Sequence, residues 1–365
     1  MISTKIIKGI AFCAAIILII NCSTTSKSVR VDVEADPFEK LSDYHFFTGI
    51  QNNLQPNAGV LPYDLITPLF TDYAEKSRFV WMPDGTSAAY NSKEVVDFPE
   101  GAVLIKNFYY NHDAADLSKG RRIIETRLLM KRPDKWDAIS YVWNDEQTEA
   151  FLEVAGDVKK VEWKDKLGTE RSVNYVVPNK NQCKGCHEYK GELMPIGPKV
   201  RNLNYTFAYE DGAKNQLDKW AEVGYLTEYD NSIEHPKVAK WDDASSGSLH
   251  DRAMSYLEIN CGHCHRKEGP GSVSGLFLMI EEDNPLNMGI CKTPVSAGKG
   301  SGGNTYDIVP GNPDKSILVY RMETNDPGAR MPEVGRSVMH EEGVALIREW
   351  ITAMEGGCQK SMDEK

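Results

Sequence analysis

Two five-residue stretches, Cys183-Lys-Gly-Cys186-His187 and Cys261-Gly-His-Cys264-His265, repeat the pattern Cys-x-x-Cys-His in the second half of the chain. The sequence before the first stretch alternates as strands do, and the sequence after it has helical periodicity. The first stretch therefore marks the point at which the fold changes character. With 365 residues the chain is long enough for two or three domains, and the pattern predicts a multidomain α+β protein.

The segment from about residue 43 to residue 178 is predicted to be rich in β-strands. Short alternating or aromatic runs are separated by turn residues such as Pro83-Asp-Gly85 and Gly156-Asp157. The predicted strands are Phe79 to Met82, Ala102 to Ile105, Ile123 to Met130, Ile139 to Trp143, Val158 to Trp163 and Val173 to Val177. Strands this short and this regularly spaced predict an N-terminal antiparallel β-sandwich or barrel-like domain.

Residues 179–248 and 249–358 are predicted to form two mainly α-helical modules, one around each Cys-x-x-Cys-His stretch. The predicted helices run from Asn215 to Val223, from Asp251 to Asn260 and from Glu341 to Met354. The last helix is the clearest, because apolar side chains recur on one of its faces and two glycines follow it.

The spacing within each stretch fits covalent attachment of haem. Two thiols three positions apart can bond the vinyl groups of one haem, and the next histidine supplies the proximal ligand of the iron. The predicted attachment residues are Cys183, Cys186, Cys261 and Cys264, with His187 and His265 as proximal ligands. The main alternative is a zinc site made from the four cysteines, but zinc ribbons usually separate their cysteine pairs by ~15–20 residues. We therefore expect two haem c groups.

The second stretch is followed by features that resemble a class I cytochrome c. A helix leads into the stretch, and Met331-Pro332 lies in a loop before the last helix. A Met-Pro loop in that place resembles the one that carries the distal methionine in this family. The resemblance implies Met331 as the distal ligand of the second haem, and a thioether ligand raises the reduction potential of the iron. The alternatives are Met322, Met339 or His340, or a role for Met331 in the core.

The first stretch has no equally clear distal partner. Met194, His235 and His250 are the candidates, and Met194 is the nearest of them in the sequence. Gly197-Pro198 resembles the segment that supports the proximal imidazole in class I cytochromes, here His187. An iron with five ligands, or with water as the sixth, remains an alternative at this site, and an open site could perform chemistry.

The N-terminus has the pattern of an export signal. Lys5 and Lys8 precede an apolar run from Ile10 to Ile20, which is too short to span a membrane. Cys22 follows the run directly, as in a bacterial lipoprotein signal, although Asn21 replaces the usual small residue. We expect residues 1–21 to be removed, Cys22 to carry lipid and residues 22–42 to be a polar tether. The alternative is an ordinary secretory signal.

Export affects how the remaining cysteines are interpreted. An oxidising compartment allows Cys291 and Cys358 to form a disulfide, although two free buried thiols are the alternative. The expected location is the bacterial cell envelope, on the periplasmic side or at the outer membrane, with the lipid as the membrane anchor. The formal net charge of −11 argues against nucleic-acid binding, which requires a basic surface.

The chain resembles a largely uncharacterised family of exported bacterial di-haem c-type cytochromes. The resemblance rests on both cysteine stretches and on these segments: Tyr63 to Arg78, Phe98 to Lys106, Glu125 to Arg127, Tyr141 to Asn144, Pro195 to Pro198 and Ile308 to Gly311. It implies an electron carrier that serves redox partner proteins. A haem enzyme, peroxidase-like or another oxidoreductase, and an adaptor that docks a cytochrome onto a dehydrogenase are the alternatives.

Four charged residues of the family segments lie on predicted strands. They are Arg78, Lys106, Glu125 and Arg127. Because charged side chains on strands usually face solvent, the sequence predicts a solvated surface there and leaves open whether the β-rich domain binds a substrate.

Overall fold

The structure is a computed structural model that describes residues 27–358. The predicted signal peptide and the lipidation site Cys22 lie outside the described residues. Helices and mostly antiparallel strands both occur, which confirms the α+β class. No helix within residues 27–358 is long and apolar enough to cross a membrane.

Sixteen strands occur in the described part of the chain. They are β1 (Phe47–Thr48), β2 (Gln55–Pro56), β3 (Leu61–Tyr63), β4 (Glu75–Trp81), β5 (Ala88–Ala89), β6 (Val103–Asn111), β7 (Arg121–Lys131), β8 (Trp136–Trp143), β9 (Ala150–Glu153), β10 (Asp157–Lys164), β11 (Glu170–Val177), β12 (Glu188–Tyr189), β13 (Glu192–Leu193), β14 (Thr206–Tyr209), β15 (Gly212–Asn215) and β16 (Leu226–Thr227). All six strands expected from the sequence are present.

Six α-helices occur between residues 27 and 358. They are α1 (Lys180–His187), α2 (Val200–Leu203), α3 (Gln216–Glu222), α4 (Leu249–Leu257), α5 (Ile317–Glu323) and α6 (Glu341–Thr352). The three predicted helices correspond to α3, α4 and α6. The second of them changes at its end into a π-helical turn at Glu258–Gly262, which leads into the second cysteine stretch.

The main sheet has six antiparallel strands in the order β3-β4-β6-β7-β8-β9. Its edge strands β3 and β9 do not pair with each other, so the sheet is open, and the barrel-like alternative is wrong. The N-terminal segment covers one edge, where the amide of Leu152 donates to the carbonyl of Glu39 at 2.9 Å. Covering an edge in this way removes the need for closure. The hairpin β10–β11 packs over one end of the sheet through Trp163 and Tyr175.

The two faces of the sheet have different partners. One face packs on the N-terminal segment around Tyr44 and Phe46. The other face shares a single core with residues 200–226, in which Trp220 is fully buried beside the sheet. Strand β16 also pairs with β5. The predicted boundary at residue 178 therefore divides two kinds of secondary structure but does not divide two cores.

The C-terminal region has a core of its own. Helices α4, α5 and α6 pack through Leu257, Leu318, Ile347 and Trp350. In α6, Val344, Ile347, Trp350 and Ile351 recur at helical spacing, so burial of one amphipathic face accounts for the position of this helix. Cys291 and Cys358 are joined by a disulfide, which fixes the segment after α6 to this region.

Candidate functional site

Helix α1 places the first cysteine stretch directly after the last strand of the hairpin. Asn179 begins the helix with a capping box: its side chain accepts from the amide of Gln182 at 3.0 Å, and the Gln182 side chain accepts from the amide of Asn179 at 2.9 Å. Such a box satisfies two backbone donors that would otherwise have no partner. Cys183, Cys186 and His187 follow in the next two turns.

The His187 imidazole is held by the chain that follows it. The short hairpin β12–β13 returns Met194 to the histidine, where His187 Nδ1 donates to the carbonyl of Met194 at 2.7 Å and the Met194 amide donates to the carbonyl of His187 at 2.7 Å. This bond leaves Nε2 available as a ligand atom. Burial lowers the pKa of His187 to about 4, so the imidazole is neutral, as metal ligation requires.

Met194 therefore has a different position from the one that the sequence suggested. Its main chain supports the proximal imidazole from the Nδ1 side, which argues against distal ligation of the same iron by its side chain. The support also comes from Met194 and not from Gly197-Pro198. His235 is bonded at both ring nitrogens, to Tyr90 Oη and to the Asp230 carbonyl at 2.8 Å each. Among the described residues, neither it nor His250 lines a cavity beside His187.

The second stretch follows helix α4, which begins with a capping box formed by Ser248 and Asp251. The amide of His265 donates to the carbonyl of Cys261 at 2.8 Å. Its Nδ1 donates to Ser274 Oγ at 3.3 Å, and that hydroxyl donates to the Gly271 carbonyl at 2.6 Å. Burial lowers the pKa of His265. The second imidazole is thus also oriented from its Nδ1 side, but by a longer bond to a side chain.

A buried arginine that the sequence did not indicate holds the Met331 loop. Arg336 is 5% exposed, and its Nε donates to the carbonyl of Met331 at 3.0 Å. Its Nη2 donates to the carbonyls of Arg321 and Thr324, each at 2.9 Å. The Met331 amide donates to the same Arg321 carbonyl at 2.8 Å. Arg336 therefore joins the loop to the end of α5.

Both stretches contribute to the lining of one cavity, whose empty space of about 1530 Å³ includes the part open to solvent. Its lining includes Cys183, Cys186, His187, Cys261 and Met331, whereas Cys264 and His265 are not among the lining residues. Met322 and His340 line it as well, and Met339 packs against the C-terminal core. Met331 thus shares this cavity with residues of both stretches, and its ligation of iron stays a prediction.

The two stretches also touch each other directly. Cys264 Sγ lies 3.8 Å from the carbonyl oxygen of Gly185, inside the first stretch. Next to this contact the guanidinium of Arg266 lies 3.9 Å above the ring of Tyr189, and the Lys190 amide donates to the Glu268 carbonyl at 3.2 Å. The segments that follow the two stretches are therefore packed together, and the stretches are not the centres of two separate bodies.

The donor atoms fit c-type haem. All four cysteines of the stretches are free thiols, and each stretch offers one imidazole whose Nδ1 is already engaged. Burial raises the pKa of Cys261 and of Cys264 to about 12. No group of three or more His, Cys, Asp or Glu side chains in residues 27–358 is arranged to hold a metal ion. Haem needs no such group, because the porphyrin supplies four of the iron ligands.

The face of the main sheet that lies across the cavity from α1 carries charged residues in one row. Strand pairing places Tyr63, Arg78, Lys106, Arg127 and Ser140 in consecutive register on β3, β4, β6, β7 and β8. All five line the cavity, and Arg78 is 5% exposed. The expectation that these charges face solvent is therefore wrong. The main sheet packs against the rest of the chain on both faces, so neither face of a strand exposes these charged side chains fully to solvent.

His263, between the two cysteines of the second stretch, is a further residue at the junction. His263 lines the cavity described above and also a second cavity of about 770 Å³, which Met194 lines as well. Its Nδ1 is buried and has no hydrogen-bond partner in the described part of the chain. Burial lowers its pKa to about 3.

Comparison with known proteins adds no relative to these observations. No protein-family model, no curated protein and no solved structure matches the chain.

Proposed function

We propose that the chain is a di-haem c-type cytochrome that transfers electrons in the bacterial cell envelope. The observation that supports this most directly is the junction of the two stretches, where Cys264 Sγ lies 3.8 Å from the Gly185 carbonyl. Each stretch supplies two thiols and one imidazole, which is the donor set of one covalently attached haem. Because an attachment cysteine of the second stretch contacts the backbone of the first stretch, the two haems would lie close enough to exchange electrons without an intermediary.

Haem, when bound, supplies one-electron oxidation and reduction of its iron. The protein supplies attachment and ligands. Cys183 and Cys186 anchor the first group, and Cys261 and Cys264 the second. His187 and His265 are the proximal ligands, and the carbonyl of Met194 and the hydroxyl of Ser274 orient them. Met331 is the proposed distal ligand of the second haem, which would give that haem the higher potential.

The proposal includes a place in the cell and a class of partner. Lipid on Cys22 would tether the protein to a membrane of the envelope, with the polar segment to residue 42 as spacer. Since the formal net charge is −11, a redox partner protein that docks through charge would present a basic surface.

A haem assay tests this proposal. The full chain is produced in a host with haem-attachment machinery, and its haem is counted by the pyridine haemochrome method. We expect two haems per chain, and one haem after Cys183 and Cys186 are both replaced by alanine. A wild-type content of one haem or none contradicts the proposal. Replacement of Cys261 and Cys264 instead is the matched variant, because it should also leave one haem, and replacement of all four cysteines should leave none.

The distal ligand is tested by two methionine variants. Met331→Ala should remove the charge-transfer band of a methionine-ligated haem and lower the potential of that haem. Met194→Ala should leave both spectra unchanged, because the contact of Met194 with His187 is made by its carbonyl. A loss of methionine ligation in Met194→Ala and not in Met331→Ala would reverse the assignment.

An oxidoreductase that uses the first haem is the second candidate function. The cavity beside His187 is large and carries charged side chains, which a pure electron carrier does not require. Carbon monoxide or peroxide should then change the spectrum of the first haem in the wild-type protein. An unchanged spectrum favours the carrier.

A further inference from the structure

Three cations stand side by side in the cavity wall. Arg78 on β4 is the register partner of Lys106 on β6, and Lys106 is the register partner of Arg127 on β7. Directly opposed residues on neighbouring strands are the closest cross-strand pairs, and like charges in such pairs destabilise a sheet. Three in succession therefore need a compensating negative charge.

The described residues compensate this row only in part. Asp64 bonds Arg78 Nη1, and Glu125 holds Arg127 with Oε1 at 2.5 Å from Nη2 and Oε2 at 2.8 Å from Nε. No carboxylate of residues 27–358 pairs with Lys106, the middle member, whose Nζ lies 4.8 Å from the ring centre of Phe108. Two carboxylates thus serve three basic side chains, and burial and then the charge of Arg78 lower the pKa of Lys106 well below its ordinary value.

Arg78 adds an independent sign of a missing ligand. Its side chain is 4% exposed, and Nη2 is buried with no hydrogen-bond partner in the described part of the chain. A buried guanidinium donor without an acceptor is costly. Arg78 lines the cavity together with Lys106 and Arg127. An anionic ligand in the cavity could therefore accept hydrogen bonds from all three side chains.

We propose that Arg78, Lys106 and Arg127 form a binding site for a carboxylate or a small oxyanion in the cavity beside the first cysteine stretch. Guanidinium groups bind planar oxyanions through paired hydrogen bonds, and the ammonium between them adds a point charge. The neighbouring row of the same face, Leu104, Leu129 and Ala138, also lines the cavity. The site thus has a charged part for the anion beside an apolar part.

Two sources can provide this anion. One is a propionate of the first haem, and this source rests on the proposed function. The other is a free oxyanion that enters the open cavity as a substrate, which would favour the oxidoreductase. Both carry the same carboxylate-like chemistry, so the experiment has to separate them.

Calorimetric titration of the oxidised haem-loaded protein with sodium nitrite tests the free anion. If this source is correct, nitrite binds saturably, Lys106→Met weakens binding at least tenfold, and Lys106→Arg restores most of it. Lys135→Met is the matched control, because Lys135 is an exposed lysine in the turn between β7 and β8 of the same sheet. It should bind nitrite as the wild type does.

The propionate source gives a different result. Nitrite then does not bind. The potential of the first haem should be independent of pH near neutrality in the wild type and in Lys135→Met, and should become pH-dependent in Lys106→Met. The reason is that a propionate that loses a cation takes up its proton at higher pH. The proposal is overturned if the wild type binds no nitrite and Lys106→Met has the pH profile of Lys135→Met.

The haem content of each variant is measured in the same samples. A wild-type chain without two haems refutes the proposed function, whatever the titration gives. A chain with two haems, no nitrite binding and unchanged pH profiles refutes only the anion site.

Discussion

The two Cys-x-x-Cys-His stretches have the same pattern but different supports. His187 is oriented by the carbonyl of a residue seven positions later, through a hairpin that begins at the next residue. His265 is oriented by the hydroxyl of Ser274. Met331, the proposed distal ligand of the same haem, lies 66 positions after His265, in a loop that Arg336 fixes. The first site is local in sequence, whereas the second depends on distant contacts.

The regions around the two cysteine stretches also differ. The first stretch lies against a sheet face that carries a row of cations, and its region shares a core with the sheet. The second stretch belongs to a helical core closed by a disulfide. The contrast suggests that the second site is built to keep one ligand set fixed and that the first is built to accept an additional charged group. Each prediction below tests one side of this contrast.

Loss of the disulfide should have the largest effect, and it should be confined to the second region. Cys291 and Cys358 close a loop with a sequence separation of 67, and removing a native bridge of this kind typically costs about 2–5 kcal/mol. We expect the double serine variant to lose this amount in the free energy of unfolding, measured by denaturant titration. Hydrogen exchange should increase in α5 and α6 and stay unchanged in α1. Equal increases in both regions would contradict the contrast.

Truncation of Arg336 should have the next largest effect. Arg336→Ala leaves the carbonyls of Met331 and Thr324 without the guanidinium donor, and the Arg321 carbonyl keeps only the Met331 amide, at a cost on the order of 3 kcal/mol. The same variant should weaken methionine ligation of the second haem, seen as a loss of its charge-transfer band. Arg348→Ala is the control, because Arg348 pairs with carboxylates at the surface, where such pairs contribute about 1 kcal/mol or less.

The fold of the chain could be predicted from the sequence because its signals are local. Alternation in β7 and β8 and the apolar face of α6 depend on residues within one element, so the six predicted strands and the three predicted helices lie close to where they occur. The short strands and α2 and α5 have no such signal and were not predicted. The extent of the cores could not be predicted. Trp220 and Val200 pack on the sheet through a contact that no local pattern describes.

The candidate site is predicted in part by local signals. The spacing of the cysteine stretches predicts covalent haem, and the proline after Met331 and its place before the last helix predict Met331 as a ligand. The cation row depends on the register of β4, β6 and β7, which sets Arg78 opposite Lys106 only after the sheet has formed. The support of His187 was assigned to Gly197-Pro198 although Met194 provides it, since a main-chain carbonyl leaves no mark in the residue types.

Stability should depend on pH through Lys76, which lies on the sheet face of the first site. Burial and then the charge of Arg78 lower the pKa of Lys76 from 10.5 to about 7. Between these values the unfolded chain holds a proton that the folded chain lacks. The free energy of unfolding should therefore rise with pH, by at most about 1.4 kcal/mol per pH unit.

Lys76→Met should reduce this rise relative to the wild type, and Lys135→Met should keep it. Lys106, whose pKa burial and the charge of Arg78 also lower, accounts for the part that is left. The measurement is a series of denaturant titrations between pH 7 and pH 9. An identical slope in Lys76→Met and in the wild type would show that the charged face of the first site is not desolvated.

The smallest effect concerns the helix starts, where the two sites are most alike. Asn179→Ala and Ser248→Ala each remove one capping box, and each should cost about 1 kcal/mol. The two substitutions should differ in how far along the chain amide exchange becomes faster. Helix α1 has eight residues and ends at His187, so its fraying should speed amide exchange throughout the first stretch, by roughly fivefold for this free energy. Helix α4 is separated from His265 by the π-helical turn, so fraying of its start should leave exchange in the second stretch unchanged. If the two substitutions change the amide exchange rates of the two cysteine stretches equally, helix α1 and the contacts close to it in sequence are not what fixes the first stretch.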